Sequence, residues 1–189
     1  MHTATTINHE LLWQASHARL SVTPLQLQKL LFLVQVEHLR ATGDLAFRDH
    51  VVAWKMGPVV RSVYEVFRGR RSALAAPTRR PAVSESARAA VAQVLHEHGH
   101  KSAADLVRLT HRRGGAWLAT PRDDVIQPEA LASRELTADD RARLGSRRQV
   151  KTDEEELVAL SASLERSPPS GETVAVVGDL FAHFGLRRA

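Results

Sequence analysis

The segment from Thr23 to Gly43 restricts the fold more than any other part of this chain. Thr23 is a good N-cap, Pro24 suits the first helical position because its missing N–H would be orphaned there anyway, and Gln26 stands three residues after the cap, where it can reach back. Gly43 closes the segment, so the spacing predicts a helix from Pro24 to about Thr42, roughly 28 Å long. Two apolar stripes run along it, Leu27/Leu30/Leu31/Val34 and Leu25/Phe32/Val36/Leu39. A helix apolar nearly all round must be surrounded by the rest of the domain. Lys29 interrupts its apolar middle, and of two outcomes, snorkelling to solvent or pairing inside, snorkelling is the expectation. The longest purely apolar run, Leu30 to Val34, is far short of the roughly twenty residues of a membrane span.

The second informative stretch is Val51 to Phe67. Val51-Val52-Ala53-Trp54 reads as a short strand and Gly57 as a sharp turn, while Pro58 is expected to open a helix with Val59, Val63, Val66 and Phe67 on one face and Gly69 just beyond its end. Residues 1–6 are polar and expected to fray, and a first helix is expected over Ile7–His17. Residues 45–50 connect, and residues 70–83 read as a loop or a short hairpin. Ser84 caps a helix from Glu85 to about His98, ended by Gly99, and Ser102 caps another that should reach Arg113 before Gly114-Gly115, with Trp117 packed back onto it from a loop. Further helices are expected after Pro128, after Thr137 to about Leu144, and from Thr152 to about Leu164, the last two separated by a basic joint at Arg147, Arg148 and Lys151. Ser167–Gly171 reads as a linker, and Val174, Val177, Phe181 and Phe184 as one helical face. The expected fold is mainly α: a compact helical domain over residues 1–145, built around the central helix at 24–42 with a small β element near 50–55, and a helical, acidic C-terminal extension over 146–189.

The absence of cysteine from all 189 residues removes disulfides, thiolate metal sites and thiol nucleophiles together. With no leader pattern in view, a cytoplasmic protein is expected. Charge is uneven: residues 1–151 hold 23 Lys and Arg against 14 Asp and Glu, and residues 152–189 hold 3 against 7. Arg61, Arg68, Arg70, Arg71, Arg79 and Arg80 concentrate positive charge that could meet an acidic protein surface or a nucleic-acid backbone, although a solvated Arg-rich loop is the preferred reading. His96 and His100 have the spacing of zinc ligands on a helix, but Gly99 lies between them and no glutamate stands where a His-Glu-x-x-His site needs one. No phosphate-binding glycine loop, nucleophile elbow or dinucleotide fingerprint is present, so neither a catalytic residue nor a cofactor is expected.

Three blocks then carry a resemblance: Thr23-Pro24-Leu25-Gln26-Leu27-Gln28-Lys29-Leu30-Leu31-Phe32; Ala53-Trp54-Lys55-Met56-Gly57-Pro58-Val59 with Tyr64; and Leu106-Val107-Arg108-Leu109-Thr110-His111 with Trp117. In this order and at these spacings the chain is similar to the Panacea domain of SocA-like antitoxins, found in bacteria and phages. The resemblance implies a helical domain with a small β element, no catalytic centre, and neutralisation of a cognate toxin by direct contact, with an adaptor role that hands the toxin to a protease as an alternative. Carried onto this chain, it makes Lys29, Trp54, Gly57, Pro58, Tyr64, Thr110, His111 and Trp117 scaffold residues. Arg61, Arg68, Arg70 and Arg71 are the candidate partner contacts, and a nucleic-acid-binding regulator acting through Arg61–Arg80 is the reading from another class.

Overall fold

The computed structural model describes residues 1–70 and 74–166, as two units, Met1–Leu144 and Gly145–Ala189. In chain order the elements are α1 (Ala4–His17), α2 (Pro24–Thr42), β1 (Val51–Trp54), β2 (Gly57–Val60), α3 (Arg61–Phe67), α4 (Glu85–His98), α5 (Ala103–Thr110), α6 (Ala116–Ala119), α7 (Pro128–Glu135) and α8 (Ala138–Arg166). In the first unit α2 is central, packing against α1, α3, α4, α5, α7 and β2. Its start and stop are those the sequence predicts: Thr23 Oγ1 accepts from the Gln26 N–H, Gln26 Oε1 accepts from the Thr23 N–H at 3.0 Å, and Gly43 takes φ 82° at the C-cap. Leu27, Leu30, Leu31, Phe32, Val34, Val36 and Leu39 are all buried, joined in one core by Ile7 and Leu11 of α1, Val91 and Val94 of α4, and Leu106 of α5.

Pro58 does not open a helix. It lies in β2, and β1 and β2 form a two-stranded antiparallel hairpin in the register Val51–Val60, Val52–Val59, Ala53–Pro58, Trp54–Gly57. The reason is the alternation of an antiparallel ladder. Ala53 directs its N–H and C=O away from β2, to Asp124 O and from Asp123 N, both at 2.9 Å, so Ala53–Pro58 is a non-hydrogen-bonded pair and the missing proline N–H leaves no gap. Lys55 and Met56 form the connection, and Gly57 adopts φ 103° directly after it. The helix therefore begins three residues later, at Arg61, which leaves Val63 buried but turns Val66 out to solvent.

Other boundaries also shift. Residues 2 and 3 are held rather than frayed: Thr3 caps α1, His2 bridges to Phe47, and the Ala4 N–H donates to Asp49 Oδ2 at 2.8 Å. α5 ends at Thr110, short of Arg113, because His111 takes a non-helical backbone at the C-cap. Trp117 sits in the short helix α6 rather than in a loop. The two helices expected across residues 137–164 are one continuous helix, α8; a single interior glycine, Gly145, costs only about 1 kcal/mol and does not interrupt it. The expected linker at 167–171 and the helical face at 174–184 lie outside the described residues, as does Arg71.

Candidate functional site

A two-stranded hairpin exposes a row of backbone groups on each outer edge, and this one is stable only if both rows find partners. On the β1 side the segment 123–126 supplies them, with the Ile126 N–H donating to Val51 O at 2.8 Å. On the β2 side the partners are side chains of α2. Gln28 offers its amide as a mimic of a strand: Oε1 accepts from the Val60 N–H at 2.8 Å, and Nε2 donates to Val60 O at 3.4 Å. One residue on, Lys29 Nζ donates to Pro58 O at 3.0 Å. Seven residues from Gln28, Gln35 Oε1 accepts from the N–H groups of Ala46 and Phe47, and its Nε2 donates to Phe47 O at 3.0 Å. The polar positions of α2 are thus sockets for the backbone that crosses it.

Lys29 does not snorkel. Its side chain is fully buried, and burial lowers its pKa from 10.5 to about 7. The expectation failed because the hairpin covers this face of α2 and presents a carbonyl at the depth of the ammonium. His111 stands close by: a Cβ placed on Gly57 would lie 2.6 Å from both His111 Nε2 and Lys29 Nζ. The His111 pKa is lowered by burial first and by the Lys29 charge second, the Met56 backbone acting the other way. The His111 ring stacks on Trp117 with centroids 3.6 Å apart and planes 7° from parallel, and Trp117 Nε1 donates to Trp54 O at 2.9 Å. Thr110, buried, closes on its own helix through bonds to Leu106 O and Val107 O. The three sequence blocks therefore meet at one place, the hairpin tip, with Lys29 beneath it and His111 and Trp117 beside it.

In front of this junction lies an open groove of about 820 Å³. Pro24, Leu25 and Lys29 of α2, Trp54, Met56 and Val59 of the hairpin, and Tyr64 and Phe67 of α3 line it. Trp54 is half-buried and stands outside the hydrophobic core. It meets Tyr64 edge-on at 4.8 Å, with the Arg61 guanidinium 6.0 Å from its ring. Leu25 and Met56 are exposed within the groove. Lys55, Arg68, Arg70 and Arg122 stand around it, and among the described residues Asp123 is the single carboxylate in its lining.

The arginines singled out in the sequence separate. Arg61, Arg68 and Arg70 lie at or beside the groove, Arg68 in an exposed pair with Glu65 at 3.8 Å. Arg80 is occupied elsewhere: it donates to the fully buried carboxylate of Glu10, at 2.7 Å through Nη2 and 3.2 Å through Nε, and so fastens the 74–84 segment to α1. His96 and His100 are both exposed, and among the described residues no group of three or more His, Asp or Glu could hold a metal ion. No helix among them is long and apolar enough to cross a membrane.

Gln28, Gln35, Met56 and Arg122 had not been singled out from sequence. The first two carried a signal, since glutamines seven apart on a largely apolar helix share a face; Met56 and Arg122 carried none, because the strand Gly57–Val60 that completes the hairpin was read as the start of the helix that follows it. No curated protein and no solved structure matches the chain. The family model described as Antitoxin SocA-like, Panacea domain, matches residues 27–118, the span that holds most of α2, the hairpin, α5 and all three residues of the Lys29–His111–Trp117 junction.

Proposed function

We propose that this protein is an antitoxin that neutralises a cognate toxin by binding it directly, without catalysis, and that the groove in front of the hairpin is the surface it uses. The observation that carries the reading is the match of residues 27–118 to the SocA-like antitoxin domain, and the groove lies largely within that span. Its character is consistent with binding: exposed Leu25 and Met56, half-buried aromatic rings and a charged rim are the make-up of a protein interface with an apolar centre. In this scheme the motif residues divide. Lys29, Gly57, Pro58, Thr110, His111 and Trp117 hold the hairpin in place, whereas Trp54 and Tyr64 are supported by it and face the partner.

The experiment is co-expression with the product of the adjacent reading frame. Growth arrest by that product, relieved by this chain and accompanied by co-purification of the two proteins, is the expected result. Relief without a complex, together with faster disappearance of the toxin in cells that contain their proteases, would favour the adaptor role instead. The nucleic-acid reading has less to draw on, because Arg80 is committed to Glu10 and Arg68 is shared with Glu65.

A further inference from the structure

We infer that the groove receives a polypeptide segment whose apolar side chains are flanked by carboxylates. The inference rests on the reading of this face as a partner-binding surface and specifies the chemistry of what is bound.

Two observations point to it. The first is the contrast between floor and rim. Leu25, Met56, Val59 and Phe67 offer a strip of aliphatic, thioether and aromatic surface, and methionine in particular adapts its shape to whatever packs against it. Such a strip favours side chains like Leu, Ile or Phe over sugars or phosphates. The second is the imbalance of charge around the strip. Lys55, Arg61, Arg70 and Arg122 are exposed and have no carboxylate within ion-pairing distance among the described residues; Arg68 shares Glu65 across 3.8 Å, and Asp123 is the one acid in the lining. A segment with acids on either side of its apolar anchors would satisfy both, and basic flanks would be repelled. The partner's strand or helix has a fixed seat to lie against, because Gln28 and Lys29 pin the hairpin backbone from below. A nucleic-acid strand fits less well: its phosphates would meet the rim, but Trp54 and Tyr64 already pack edge-on against each other, and Leu25, Met56 and Val59 offer no flat face to a base.

The test is a selection of random peptides displayed on phage against the full-length chain, followed by binding measurements with the recovered peptides in synthetic form. Enrichment of peptides with apolar anchors and flanking Asp or Glu is expected. Their affinity should fall roughly two- to five-fold for each of Lys55→Glu and Arg122→Glu at low salt, and should weaken on adding salt. Met56→Arg should abolish binding while leaving the thermal midpoint unchanged, since its side chain is exposed. Peptides without acids, no enrichment, or affinities indifferent to all three substitutions would overturn the inference. So would displacement of the peptides by a single-stranded oligonucleotide that binds as tightly. The outcome is separable from growth rescue: a chain that fails to relieve any toxin can still select acidic, apolar peptides, and a chain that relieves one can do so through another face.

Discussion

Lys29 is the residue on which the junction turns, and it leads to a pH prediction. The unfolded chain holds its proton up to about pH 10.5, whereas the folded chain releases it near pH 7. Between those values the unfolded state binds more protons, so stability must rise with pH, by as much as ~1.4 kcal/mol per pH unit if nothing else titrates. His111, lowered below 6.5, adds the same sense of dependence in the acidic range, where stability is lost as pH falls. Urea unfolding at pH 7 and pH 9 should show the increase, and Lys29→Met should flatten it. Gly57 has no alternative side chain for two reasons at once. Its φ of 103° disfavours any L-residue, and a Cβ would stand 2.6 Å from both Lys29 Nζ and His111 Nε2. Backbone strain alone costs about 1–3 kcal/mol, so Gly57→Ala should lower the unfolding free energy measured in urea by at least that much. Sequence reading found both residues through their family motif, and it found the freedom needed at Gly57 from the turn. It misplaced Lys29 because the partner of a buried lysine is a carbonyl from a segment 29 residues away, and nothing local in the sequence announces a backbone acceptor.

At the scale of elements, the start of α2, both ends of α4 and the capping box of α5 were legible because each is set by residues within one turn of it. The hairpin was half legible. A strand at Val51–Trp54 follows from its β-branched residues, but Pro58-Val59-Val60 satisfies a helix start and an edge strand equally, and what decides between them is tertiary: α2 supplies side-chain partners for the outer edge of β2, and residues 123–126 supply backbone partners for β1. The groove was invisible for the same reason, since it exists only once the hairpin and α3 stand beside α2. The socket role of α2 is testable at Gln35. Gln35→Leu keeps the volume but leaves the buried N–H groups of Ala46 and Phe47 without their acceptor, and a loss of at least ~2 kcal/mol is expected in chemical unfolding. A loss of a few tenths would mean that the 46–47 backbone finds other partners at little cost.

For the whole molecule, the buried apolar residues among those described all lie between Ala4 and Leu136, and so do the groove and the junction beneath it. A chain ending after Lys151 should therefore keep a single cooperative unfolding transition with an unchanged midpoint, as read by circular dichroism. The acidic balance of residues 152–189 then becomes a separate question: if the shortened chain folds and no longer relieves toxicity, the extension contributes to binding. In the proposed antitoxin the Lys29–His111–Trp117 junction is scaffold and the groove in front of it is the contact surface. The most direct measurement is calorimetric titration of the purified toxin into the wild-type chain and into a Leu25→Glu, Met56→Glu double variant whose melting temperature matches it. Loss of binding by a factor of a hundred or more, on the order of 3 kcal/mol, is the predicted result; an unchanged Kd would contradict it.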